Sequence, residues 1–409
     1  ASLRFPASMR WSASGVSYSR PLRWYVALLD DVVVPFEYAG VRSGRVSRGI
    51  RPDDSPDLTI PAATDYAQII QDAGIMLDVK AREVSLLEQA RALAAEVAGG
   101  VVEDADLIRE VANLVEYPLA IRGAFEQEYL RLPEAVLLAV MRKHQRYLPI
   151  VANGKMLPYF ITIANGNSLD VDAVRYGNEQ VLKARYADAV YFYDADTAKS
   201  LDTFTARLST LTFQERLGSM LDKVERLKQL VPDLAKMLGL SPEEIAAATR
   251  AAALCKSDLA TQLVVELTSL QGKMGRHYAR LSSEPEIVAQ AIEEHYLPRF
   301  MGDRLPESMV GVVVGLADRL DTLGGLFAVG IRPTGAADPW GLRRAALGLV
   351  YMLVSKRISL SLPDAILLAA RLFPVEVDDA VLNDLLDYVR TRYRGYLLDS
   401  GFPYDMVDA

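Results

Sequence analysis

The chain has 409 residues, 51% of them apolar, one cysteine and a formal net charge of −8, which excludes a disordered chain, a disulfide-stapled one and an indiscriminate polyanion binder. At ~100–200 residues per domain the length predicts two or three domains. No apolar run approaches the ~20 residues of a membrane span, since "MVGVVVGLA" stops at Asp318 and "AALGLVYMLV" at Lys356. With Cys255 alone and no secretory signal, the expected setting is soluble and intracellular. The start at Ala1, without an initiator Met, leads us to expect a fragment missing residues at both ends.

In chain order, β-branched and aromatic strands are expected at 24–29 and 32–37, joined by a two-residue turn at Asp30 and Asp31. Helices follow at 64–74, 80–98 and 103–115, then "PLAIRGAFEQEYL" as strand and loop, and a helix opened by Pro133 at its first position. "MRKHQRYLPIVANGKMLPYFITIANG" predicts a helix end followed by a hairpin turning at Asn153 and Gly154. Gly177 and Asn178 are expected to mark the entry to a helix reaching Tyr193, with Glu179 and Lys183 as an i,i+4 pair and Tyr191, Phe192 and Tyr193 in the core. Beyond that come helices at 199–209, 213–239, 242–270, 284–296, 308–329, 339–355, 363–373 and 377–399. The fold class expected is multidomain, an α+β region over 1–200 followed by an all-α region over 201–409.

Charge is unevenly spread. Residues 1–51 hold eight arginines (4, 10, 20, 23, 42, 45, 48 and 51) against Asp30, Asp31 and Glu37, and residues 141–190 hold seven basic groups against four acidic ones. Such islands hold phosphate within roughly a Debye length, ~8 Å, even on an acidic body. In "MRKHQRY", Arg142, Lys143, His144, Gln145 and Arg146 would offer phosphate and sugar contacts, with Tyr147 anchoring the segment or stacking, under the family resemblance given below. The alternative is a helix end whose cations suit the dipole. Further on, "GIRPTGAADPWGLRR" suggests Asp338 as N-cap and Pro339 as helix opener, with Arg343 and Arg344 compensated by Asp318, Asp321 or a phosphate.

Taken together, "FPASMRW", "SGRVSRG", "KHQRYLP", "LPYFITIANG", "GNEQVLKARYADAVYFY", "FQERLGSMLDKVERL", "KSDLATQLVVELTSLQGKMGRHYA", "EHYLPR", "LADRLDTLGGLF" and "PTGAADPWGLRR" resemble the beta subunit of the bacterial-type glycyl-tRNA synthetase, in the family's order and over nearly the whole chain. The resemblance implies a non-catalytic part of an ATP-dependent glycylating assembly, bacterial and cytoplasmic or in a plastid stroma. The alpha subunit, with its ATP and Mg, would be the partner, tRNA(Gly) the ligand and alpha2beta2 the full-length assembly. No cofactor or metal is expected on this chain. It also implies that 1–200 holds the tRNA body, with Lys183 and Arg185 beside the 142–146 cluster and Arg343 and Arg344 as tRNA-binding candidates. A C-terminal anticodon-binding module is expected to lie beyond the end of the sequence.

"LADRLDTL" also resembles the HD phosphohydrolase superfamily, which makes an HD-type metal-dependent hydrolase an alternative, as is a stand-alone RNA scaffold. Only His144, His277 and His295 exist, and none precedes an Asp. Where the paired ligands should stand the chain reads "CKSDLAT", so Lys256, Asp258 and Asp318 form a degenerate site; Asp318 and Asp321, three apart on one helical face, could hold Mg²⁺ through water, but Lys256 is their expected partner in the resembled fold. Cys255 is expected in the core.

Overall fold

Asn153 and Gly154 both adopt positive φ, 50° and 74°, the backbone of a tight hairpin turn whose twist matches its strands. In the computed structural model, which describes residues 5, 7–51, 54–166, 169–333 and 338–408 and only the backbone of His144, they join strands Leu148–Ala152 and Lys155–Asn165. This hairpin is the middle of a four-stranded antiparallel sheet, ordered Gly100–Val101, Leu148–Ala152, Lys155–Asn165, Pro118–Ala124. Helices Val79–Ala95 and Ala105–Leu114 pack on it, burying Leu86, Ala90, Ala94, Leu107, Ile108 and Val111 against Leu148, Ile150 and Ile161. Each helix is capped by a preceding aspartate, Asp78 through Lys80 N and Asp104 through Asp106 N and Leu107 N.

Before this sheet lie short strands. Leu28–Leu29 and Val32–Val33 form a hairpin over Asp30 and Asp31, Asp30 at φ 52°, while Tyr25–Val26 pairs in parallel with Val41–Gly44. The chain divides into two compact units, Ala1–Asp188 and Ala189–Ala409.

The second unit is helical, centred on Met309–Ala328, nearly all of whose residues are buried. Helices Met220–Met237, Pro242–Leu254, Glu286–Glu294, Leu342–Ser355 and Leu362–Ala370 pack around it or on one another. Ser219 and Ser241 each open a helix with a reciprocal capping box, closed by Asp222 and Glu244.

Several expectations need correction. The helix placed at Gly177 begins at Val171 and runs to Thr197. The start of the 213–239 helix is instead a hairpin, Thr212–Gln214 with Gly218–Ser219. The long 242–270 helix breaks at Leu254 into short turns, and a helix at Lys273–Leu281 went unpredicted. Pro133 is the N-cap of Glu134–Val140 and not its first residue.

Candidate RNA-contacting surfaces and a buried polar centre

The α-helix Glu134–Val140 widens into a single π turn, Met141–Gln145, and stops at Arg146, whose φ of 58° is left-handed. Such turns are rare and cluster at functional positions. Tyr147 fixes the exit: it is buried, stacks on Phe160 at 4.5 Å between ring centres and donates to Asn178 Oδ1 at 2.5 Å. Burial pushes its phenol up to about 12. The cations on this turn are largely engaged. Arg142 pairs with Asp104 at 2.6 Å and Arg146 with Glu110 at 2.5 Å, both partners belonging to the Ala105–Leu114 helix or its cap. Lys143 is exposed and Gln145 partly so, while the His144 side chain lies outside the described residues.

Lys183 pairs with Glu126 at 2.5 Å, not with Glu179, whose carboxylate accepts from Ala124 N at 2.9 Å. The hydrogen bond to Glu126 raises the Lys183 pKa. Arg185 is exposed.

The N-terminal arginines divide into two groups, Arg4 lying outside the described residues. Arg42 and Arg48 pair with Glu37 and Asp57, and Arg45 donates to the carbonyls of Asp31 and Pro61 at 2.9 and 3.0 Å. Arg10, Arg20, Arg23 and Arg51 are exposed and form no ion pair among the described residues. Arg23 adjoins Trp24, which is 45% exposed at the rim of a cleft of about 400 Å³ shared with Tyr25 and Tyr66. Arginine interleaved with aromatic faces is the composition that binds unpaired nucleic acid.

The helical unit holds a buried polar centre. Asp318 and Asp321 lie three apart on the central helix and Lys223 and Arg226 three apart on Met220–Met237, so each pair shares a helical face. Lys223 Nζ lies 3.0 Å from Asp321 and 3.2 Å from Asp318, Arg226 grips both Asp321 oxygens at 2.6 and 3.1 Å, and Lys256 Nζ meets Asp318 at 3.0 Å. Lys256 also donates to His295 Nε2 at 2.9 Å, while His295 Nδ1 faces the Ile292 carbonyl at 2.7 Å. A carbonyl only accepts and an ammonium only donates, so the imidazole is neutral with its proton on Nδ1. Burial, reinforced by Lys256, holds the His295 pKa well below its ordinary value. Burial pushes Asp318 up, but Lys223 and Lys256 outweigh it and leave the carboxyl well below the usual range.

Two ammoniums thus face the carboxylate that would carry a divalent cation in an HD-type centre. Among the described residues no group of three His, Cys, Asp or Glu side chains is placed to hold a metal ion. Asp258 forms no ion pair among the described residues: its Oδ2 accepts from Gly272 N at 2.6 Å and Gly275 N at 3.1 Å, Oδ1 has no partner among those residues, and burial, outweighing Lys256, pushes it up to about 6. Cys255 is fully buried, and its thiol is pushed up to about 12 by that burial.

Asp318 and Asp321, expected as counter-ions of Arg343 or Arg344, are held by Lys223, Arg226 and Lys256. The Asp338 carboxylate instead takes Leu342 N and Arg343 N at 2.9 Å each, from outside a helix that starts at Leu342 behind Gly341. Pro339 therefore sits in the preceding turn, and Arg344 is exposed. Tyr191, expected in the core, is 68% exposed, whereas Tyr193 hydrogen-bonds His277 at 2.9 Å. Lys223, Arg226, His295 and the buried Arg319 were missed as members of the centre. Lys223 and Arg226 did carry a signal, spaced at i,i+3 like Asp318 and Asp321 and of opposite charge.

The chain therefore folds as two units, α+β and then mostly helical, the second enclosing Asp318 and Asp321 in internal ion pairs. It belongs to the glycyl-tRNA synthetase beta subunit family, whose model matches residues 1–409. It is 42% identical over 415 residues to the glycine–tRNA ligase beta subunit of Desulforamulus reducens and 40% identical over 411 residues to that of Clostridioides difficile, covering 60% and 59% of those proteins. It is also 43% identical over 408 residues to a chloroplastic/mitochondrial glycine–tRNA ligase of Arabidopsis thaliana, of which it covers 38%. All of this chain is covered in each case, so it spans about three fifths or less of each relative's length. No helix among the described residues is long and apolar enough to cross a membrane.

Proposed function

We propose that this chain is the RNA-holding part of a glycine–tRNA ligase, binding tRNA(Gly) for an alpha subunit that supplies the ATP, Mg and glycine sites, in an alpha2beta2 assembly in the cytoplasm. The family match over residues 1–409 carries this reading. The exposed arginines at 10, 20, 23 and 51 supply the phosphate-seeking charge that the reading requires. The pairing of Lys223 and Lys256 with Asp318 supports this reading over a metal-dependent hydrolase centred on that carboxylate.

Glycine-dependent pyrophosphate exchange and tRNA charging test the division of labour. The purified chain is expected to do neither, and a full-length version mixed with the alpha subunit to do both. Glycyl-adenylate formed by this chain without the alpha subunit would overturn the assignment.

A further inference from the structure

Strand Pro118–Ala124 is an edge of its sheet, with Lys155–Asn165 on one side and, among the described residues, no strand on the other. An open edge templates unwanted pairing, and here side chains close most of it. Gln89 donates to Pro118 O at 2.9 Å and accepts from Ala120 N at 3.0 Å. Arg175 Nε donates to Arg122 O at 3.1 Å, and Glu179 accepts from Ala124 N at 2.9 Å. The even-numbered residues therefore face outward. Between the two closures one carbonyl, Ala120 O, and one amide, Arg122 N–H, have no partner among the described residues.

At this gap lies a cleft of about 360 Å³ lined by Ala120, Arg122, Tyr159, Arg175, Glu96 and Glu179 among others. The Arg122 guanidinium, held by Leu93 O and Glu96, lies 5.9 Å from the centre of the Tyr159 ring. Gln89, Arg175 and Glu179 occupy the places where an extended peptide would make its next ladder bonds, so strand addition is blocked. A single flat, polar group fits instead. A nucleobase offers the required mixture: a π-face for the tyrosine and the guanidinium, ring acceptors for an N–H, and ring or amino hydrogens for a carbonyl.

We propose that this cleft holds one unstacked nucleotide of a bound RNA, its base against Tyr159 and Arg122. The proposal rests on the RNA-holding function above. The test is photo-cross-linking of the purified chain to tRNA(Gly) transcripts carrying 4-thiouridine or 6-thioguanosine, mapped by mass spectrometry, with affinities measured in parallel for wild type and Tyr159→Leu. Cross-links are expected within residues 118–124 or 155–165, with affinity about tenfold weaker in Tyr159→Leu, the scale of losing one base–aromatic stack. If wild type binds but cross-links only elsewhere, the proposal fails and the RNA-holding function stands, whether or not the variant folds. If wild type binds no tRNA at any accessible concentration, both fail together.

Discussion

Cations serve opposite ends in the helical unit and in the N-terminal region. Lys223, Arg226 and Lys256 are at most 5% exposed, and each faces a carboxylate within 3.0 Å. Arg10, Arg20, Arg23 and Arg51 are exposed and lack such partners among the described residues. Removing an ion from water costs several kcal/mol, roughly, so a buried cation persists only beside an anion, while a hydrated one needs none. The exposed, uncommitted set retains its attraction for phosphate; the buried set has spent that attraction inside the fold. Counting basic residues along the chain cannot separate the two.

The largest effect should come from breaking the buried set. Asp321→Ala leaves Lys223 and Arg226 without their shared anion, and about 3–5 kcal/mol of stability is expected to be lost. Urea unfolding measures this, and a loss under about 1 kcal/mol would mean that the centre hydrates freely and the contrast is false.

A buried anion outside the ion-pair network sharpens the same contrast. Burial raises the Asp258 pKa from its ordinary 3.8 to about 6, so the folded chain holds that proton more tightly than the unfolded chain. Its contribution to stability is full below the unfolded value and is lost as pH rises through the folded one. Against Asp258→Asn, wild type should therefore lose about 2 kcal/mol of relative stability between pH 4 and pH 7, less than the full two units at 1.36 kcal/mol each because the unfolded carboxyl is already about half ionised at pH 4. A flat difference across that range in paired melts would show that Asp258 is solvated.

Local chemistry made much of this fold legible. Asn153-Gly154 marked a hairpin because both residues tolerate positive φ, and Asp30-Asp31 marked another. What escaped was set by tertiary structure. Gly177 sits inside a 27-residue helix, which absorbs the modest cost of one glycine, so the residue that looked like an entry is an interior position. The Thr212–Gln214 strand is too short to show alternation. At the sites, charge and spacing were visible but counter-ions were not: Asp104 and Glu110 stand 38 and 36 positions from the arginines they bind. The family resemblance supplied Lys256 as partner of both Asp318 and Asp321, and the structure gives it Asp318 while Asp321 goes to Lys223 and Arg226.

On the exposed side, replacing Arg10, Arg20, Arg23 and Arg51 together by Ala should weaken tRNA binding about tenfold or more and lower the salt slope by roughly 0.7–0.9 for each phosphate no longer neutralised. Stability should change by only about 0.5 kcal/mol per site or less, since no ion pair among the described residues is broken. Filter binding across a salt series reads the affinity and the slope, and urea unfolding the stability. An unchanged slope would place the phosphate-binding groups elsewhere on the chain.

The helix end at 141–146 lies between these extremes and should give the smallest effect. Arg142 and Arg146 are exposed yet held by Asp104 and Glu110, so a phosphate gains their charge only by displacing a carboxylate; Lys143 has no such competitor among the described residues. Replacing Arg142, Lys143 and Arg146 together by Ala should lower the salt slope by about one phosphate's worth, ~0.7–0.9, with affinity falling only a few-fold. The exposed pairs themselves contribute about 0–1 kcal/mol each to stability. The discriminating partner variant is Asp104→Asn with Glu110→Gln. Asn at position 104 keeps a carbonyl oxygen for the Asp106 and Leu107 amides, so the helix cap survives while both guanidiniums are released from their charged partners. If the turn touches RNA, that double variant binds tRNA more tightly and with a steeper salt slope than wild type. If affinity and slope are unchanged in both variants, the π turn serves only to clamp the Ala105–Leu114 helix onto its sheet, and phosphate binding belongs to the N-terminal arginines.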